Sequence, residues 1–120
     1  MKFSTLFAVA VAALVAAPFA AGAADAPAAF NQCKMCHKTE AGGKSMGPSL
    51  FGVVGRKSGS LEGYSYSPAM VASGKTWDAA NLSTYLADPK AFVPGNKMAF
   101  AGLKDPALVK AVVDYLVTLK

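Results

Sequence analysis

The sequence predicts a small, loop-rich, all-α domain. Three observations carry that expectation. No run alternates between apolar and polar residues and no Asn-Gly hairpin occurs, so nothing reads as a strand. The closing segment places Val109, Val112, Val113, Leu116 and Leu119 at helical spacing. Between them, Gly42 to Gly63 holds seven glycines and sustains no period, the mark of a long structured loop that serves a function. A length of 120 residues suffices for one core and not for two.

Met1 and Lys2 precede an uncharged apolar run from Phe3 to Ala17, and Ala21-Gly22-Ala23 has the form of a cleavage site. Residues 1–23 are therefore expected to be a secretory signal peptide, with one domain over 24–120; the competing reading is an uncleaved N-terminal anchor. The leader raises the apolar content from 47% in residues 24–120 to 53% in the whole chain, and no second apolar stretch is long enough to span a bilayer. A multidomain enzyme, a polytopic membrane protein and a disordered chain are excluded.

The Ala-rich segment Asp25 to Lys34 predicts a short first helix, with Pro27 in its first turn. Trp77 to Ala87 predicts a second, with Leu82, Tyr85 and Leu86 on one face and a stop at Pro89. Asp105 as N-cap and Pro106 as first residue open the last helix.

The chemistry is concentrated in one pentapeptide, Cys33-Lys34-Met35-Cys36-His37. It contains both cysteines and the single histidine of the chain. C-x-x-C-H is a haem c attachment signature. Thiols three apart on a helical turn share a face and can add to the two vinyl groups along one porphyrin edge. The next residue can then bring its imidazole under the iron. Export agrees with this, because bacterial thioether attachment takes place outside the cytoplasm. A structural zinc site needs four ligands where three are present. A thioredoxin-like dithiol lacks its βαβ context, and a disulfide closing so small a ring would constrain the unfolded chain little.

A sole histidine excludes bis-histidine ligation within one chain, which leaves methionine for the sixth position. Met1 leaves with the leader, Met35 lies inside the attachment turn, and Met46 follows His37 by only nine residues. Met70 and Met98 are far enough downstream. Met98, in the turn-rich Pro94-Gly95-Asn96-Lys97-Met98, is the favoured ligand over Met70, whose apolar surroundings suit core packing.

From Phe30 to Leu119 the chain resembles the class I cytochromes c, in their mitochondrial-like bacterial form. The resemblance rests on Phe30-Asn31-Gln32 before the attachment motif and on Gly47-Pro48-Ser49-Leu50-Phe51-Gly52-Val53-Val54-Gly55-Arg56. It continues through Tyr64-Ser65-Tyr66-Ser67, Trp77, Tyr85-Leu86, Pro94 to Gly102, and Asp114-Tyr115-Leu116. It implies helices wrapped around one haem c, bound through Cys33 and Cys36 and ligated by His37 and Met98. It further implies that the Pro48 carbonyl orients His37, and that Arg56, Tyr66 and Trp77 hydrogen-bond around the haem propionates. Tyr85 would lie near the Met98 sulfur, Phe100 beside the haem face, and Phe30 against Tyr115 between the terminal helices. Phe30, Phe51 and Phe92 are expected in the core. The chain departs from the family at Met70, where asparagine is frequent, at Asn96, where threonine is usual, and at Ala26, where glycine is common.

The function so implied is one-electron transport by a monomeric, soluble periplasmic carrier that is not an enzyme. Its donor would be a membrane quinol–cytochrome c oxidoreductase, and its acceptor a terminal oxidase (cytochrome c oxidase) or a photosynthetic reaction centre. The formal charge of +5 fits acidic docking surfaces on these complexes. Lys34, Lys38 and Lys44 flank the attachment motif, and Lys90, Lys97 and Lys104 flank Met98 with no acidic residue between Pro89 and Lys104. Nucleic acid is not an expected partner, since the chain has no recognition motif for it.

Overall fold

Aspartate, serine and proline decide where the helices of this chain begin. The computed structural model describes residues 25–120. The expected leader lies outside the described residues. An N-terminal 3-10 helix, Ala28–Gln32, is followed by α1 (Pro68–Ala72), α2 (Ala79–Ala87), α3 (Pro89–Phe92) and α4 (Pro106–Val117). Ser67, Asp78, Asp88 and Asp105 cap α1 to α4 in turn, each side chain accepting a backbone N–H of the first turn. Proline opens α1, α3 and α4, where its missing N–H costs nothing. No strand forms among the described residues, only an isolated antiparallel bridge between Lys57 and Thr76. The protein is all-α, as its sequence predicts.

Three boundaries differ from expectation, each for a local reason. The first helix starts only at Ala28, because Pro27 takes an extended conformation (ψ 156°) and becomes the N-cap. Pro89 ends α2 but also begins α3, since Asp88, held extended before proline, caps the next helix. Helix α1 was not expected: it is one turn long, too short for a periodic signal, and only Ser67 as cap and Pro68 as first residue mark it in the sequence.

Helix α4 packs across α2 and against the N-terminal 3-10 helix, while α3 rests on α2. Leu82 and Leu86 of α2 meet Val109, Val112, Val113 and Leu116 of α4 in one buried cluster. Phe30 sits edge-on to Tyr115, with ring centroids 4.8 Å apart, and locks the chain's first turn to its last helix. The long glycine-rich loop is ordered by backbone bonds to distant segments. Gly52 N–H donates to the Leu119 carbonyl at 2.6 Å, and Gly55 N–H to the Trp77 carbonyl at 2.7 Å.

Two aromatic expectations are corrected. Phe51 is 38% exposed, because the backbone of this turn, through Gly52, meets the end of the chain just past α4 and leaves the ring outside. Phe92 is half-buried, packed against the core rather than within it.

The end of α2 depends on one glycine. Gly102 has φ +113°, and a Cβ there would lie 2.2 Å from the Ala87 carbonyl oxygen. The close approach lets Leu103 N–H reach the Leu86 carbonyl at 2.8 Å and Lys104 Nζ reach Ala87 O at 3.1 Å, satisfying the helix's last acceptors. Gly102→Ala is expected to lower stability by more than about 2 kcal/mol in urea denaturation; an unchanged midpoint would show that the segment shifts freely.

Candidate cofactor-binding site

The site is assembled from four stretches of chain that are far apart in sequence. The first is the attachment turn. Cys33 and Lys34 N–H groups both donate to the Phe30 carbonyl, and Cys36 and His37 both donate to the Cys33 carbonyl, at 3.1 and 2.9 Å. The backbone thus keeps turning through His37, and the two cysteines, three residues apart, project from the same side. No bond joins the two sulfurs to each other, so the pair is not a disulfide. Burial, then the neighbouring Cys36, pushes the Cys33 thiol above its ordinary range.

The second stretch orients the histidine. Gly47 N–H donates to the Cys36 carbonyl at 2.7 Å and Leu50 N–H to the Lys38 carbonyl at 2.9 Å, which clasps 47–50 against the attachment turn. This brings the Pro48 carbonyl to 2.7 Å from His37 Nδ1. A carbonyl only accepts, so Nδ1 carries the proton and Nε2 keeps its lone pair. Gly47 is required here, because a Cβ would lie 2.6 Å from His37 Cε1. Burial lowers the His37 pKa, as does nearby Arg56, against the opposing pull of the Pro48 carbonyl. The imidazole is held neutral, the form that binds metal.

The third stretch supplies polar groups. Arg56 Nη2 donates to Ser49 O at 2.8 Å and Nη1 to Phe51 O at 3.4 Å, which spends part of its five-donor fork on bracing the loop. Tyr66 sits edge-on to Tyr64, with centroids 4.7 Å apart, and its hydroxyl accepts Leu61 N–H at 3.3 Å. Trp77 is buried against Tyr85 at 4.9 Å, and its indole N–H has no hydrogen-bond partner among the described residues.

The fourth is the loop after α3. Tyr85 Oη donates to Met98 Sδ at 3.7 Å. Burial, with Tyr64 adding to it, pushes the Tyr85 pKa up to about 12, so the phenol remains a donor. Met98 itself is half-buried, and its N–H is accepted by Asn96 Oδ1 at 2.9 Å.

These stretches enclose one cavity of about 510 Å³. Cys33, Cys36, His37, Pro48, Arg56, Tyr66, Trp77, Tyr85 and Met98, every site residue the sequence singled out, line it. The remaining wall is largely apolar, with Leu50, Val53, Leu82, Leu86, Val112 and Leu116. Met46 and Met70 also reach the cavity, but Met46 is 79% exposed and Met70 is held in α1. Among the described residues only Met98 has a tyrosine donor on its sulfur. Asn96, noted in the sequence only as a departure, is buried beneath the ligand loop with its side chain fully engaged.

The donor set fits a flat, largely apolar group with acidic substituents. Two thiols on one side would anchor it, a neutral imidazole nitrogen and a thioether open onto the same space, and the free indole N–H and the guanidinium can meet carboxylates. Comparison with known proteins agrees. The family model for cytochrome c matches residues 23–120. The chain belongs to the cytochrome c family. It is 59% identical over 97 residues to cytochrome c2 iso-2 of Magnetospirillum molischianum, covering 81% of this chain and 100% of that one. It is 57% identical over 97 residues to cytochrome c2 of Rhodoplanes tepidamans, covering 80% of this chain and 99% of that one. Among solved structures, cytochrome cH from Methylobacterium extorquens superposes with a TM-score of 0.70 at 50% identity, over 75% of this chain and 91% of that one. As a cytochrome c whose only two cysteines form the C-x-x-C-H spacing, the protein carries one covalently attached haem c and is an electron-transfer protein, not an enzyme.

Proposed function

We propose that Cys33 and Cys36 tether the haem, that His37 and Met98 ligate its iron, and that the exported protein shuttles single electrons in the periplasm. The donor in this reading is a membrane quinol–cytochrome c oxidoreductase, and the acceptor a terminal oxidase or a photosynthetic reaction centre. The observation that carries it is the shared cavity, onto which a neutral imidazole fixed by Pro48 and a thioether fixed by Tyr85 both open. Relatives named cytochrome c2 support the carrier role. Among the described residues no helix is long and apolar enough to cross a membrane.

When bound, the haem supplies an Fe(III)/Fe(II) couple. The chain's part is to set and protect that couple. The Pro48 carbonyl fixes the imidazole tautomer and raises its basicity. Tyr85 Oη donates to one Met98 lone pair and leaves the other for the metal. Arg56, Tyr66 and Trp77, which line the cavity, would receive the propionates, and the leucines and valines would exclude water, which favours the reduced state. With His37 and Met98 both holding the iron, no position would be left for substrate chemistry.

The visible spectrum of the holoprotein tests the ligation. Low-spin bands with the weak far-red absorption of methionine on ferric iron are expected. A high-spin spectrum that shifts with carbon monoxide would sink the carrier reading in favour of a ligand-binding or peroxidatic protein.

Docking is testable separately. Lys34, Lys38, Lys44, Lys90, Lys97 and Lys104 are all exposed. Lys104 also caps α2, and Lys97 Nζ bonds the Ser65 carbonyl beneath the Tyr64 ring. Stopped-flow electron transfer to an acidic membrane partner is expected to slow at least about tenfold between ~10 mM and ~0.3 M ionic strength. A flat response would remove the lysines from the docking face.

A further inference from the structure

One polar side chain is buried between the ligand loop and α3, and its hydrogen bonds form a single connected set. Asn96 is 7% exposed. Its Nδ2 donates to both the Pro89 and Val93 carbonyls at 2.9 Å, the first residue of α3 and its C-cap. Its Oδ1 accepts Met98 N–H at 2.9 Å, closing an Asx turn two residues long. Both amide hydrogens and the oxygen are therefore committed. No other side chain of this size offers two donors and an acceptor in one plane.

The circuit closes on the methionine from its other end. Phe92 of α3 packs on Tyr85, with centroids 6.2 Å apart, and Tyr85 Oη donates to Met98 Sδ. The sulfur and the backbone of Met98 are thus both referred to the same α2–α3 scaffold, one through Tyr85 and the other through Asn96.

We infer that Asn96 is the positioning residue for Met98. By holding the Met98 N–H to the end of α3, it keeps the thioether poised in the cavity and makes its replacement by an outside ligand unfavourable. This rests on the reading of Met98 as the sixth ligand. The residue borders the cavity and acts on the loop's opening equilibrium through the backbone of Met98.

The test is an imidazole titration of the ferric holoprotein, followed by loss of the far-red methionine band, beside urea denaturation of the same samples. Wild type is compared with Asn96→Ala and Asn96→Ser. Alanine removes every bond of the side chain, so imidazole is expected to bind about tenfold tighter, as loss of one or two hydrogen bonds on the closed loop requires. Serine keeps an acceptor for the N–H two residues on but cannot span to Pro89. It too severs the loop from α3, so its imidazole affinity should rise towards that of alanine, with a smaller fall in urea midpoint because the Met98 N–H keeps an acceptor.

A fall in urea midpoint with unchanged imidazole affinity in Asn96→Ala would reduce Asn96 to a plain structural residue and overturn the inference. So would a serine variant that resists imidazole like wild type, an outcome that stands even where Asn96→Ala fails to fold. A wild-type protein without the far-red band would instead remove the Met98 ligation on which the inference rests.

Discussion

Met98→Ala is expected to abolish the far-red band of the ferric protein and to lower its midpoint potential on the order of 0.1 V, within the span of about 0.8 V that axial ligands command. The thioether is a soft ligand that favours reduced iron, and its loss admits water or an added base to the sixth position. Met98 is the methionine whose sulfur accepts the Tyr85 hydroxyl and whose N–H is fixed by Asn96. Met70→Ala supplies the contrast. Met70 is 9% exposed within the capped turn of α1, so its truncation should cost about 2–5 kcal/mol of stability. The far-red band should survive it. A band lost on replacing Met70 and kept on replacing Met98 would reverse the assignment. Redox titration and absorption spectra of the two variants decide the matter.

Phe30→Ala is expected to be the most destabilising single truncation, at about 3–5 kcal/mol. The ring is 1% exposed and lies 4.8 Å from Tyr115, edge-on at 64°. It also lines the cavity and precedes the first attachment cysteine by three residues. Its loss would leave a void between the first turn and α4, and would loosen the segment that presents both thiols. Since a domain of this size is stable by only about 5–15 kcal/mol, the variant should lose a large part of its urea resistance. Lower yield of covalently loaded protein should accompany the loss. A change below about 1 kcal/mol would mean that α4 and the N-terminal turn hold together without this contact.

The site was largely legible before the structure because its chemistry is local. Two thiols and an imidazole within five residues admit few uses, and every residue nominated around them lines the same cavity. Residues that act through backbone groups were harder to see. The oxygen of Pro48 was expected from the family resemblance and not from its residue type, and the bonds of the Asn96 amide were not expected at all. Likewise Phe51 looked like core by composition. Its exposure follows from a turn whose backbone, not side chain, meets the chain's end beyond α4.

By itself the sequence determined the helical class, the cap that opens α4 and the haem attachment turn, because each depends on neighbours within four or five positions. Tertiary structure forms the Pro48 bond to His37 and the Tyr85 bond to Met98, which only the family resemblance implied beforehand, and it alone decided that Asn96 ties the ligand loop to α3. Those contacts join residues from seven to thirteen positions apart. Their formation depends on how α2, α3 and α4 pack, and burial then makes each unmet donor or acceptor costly enough to fix a single arrangement.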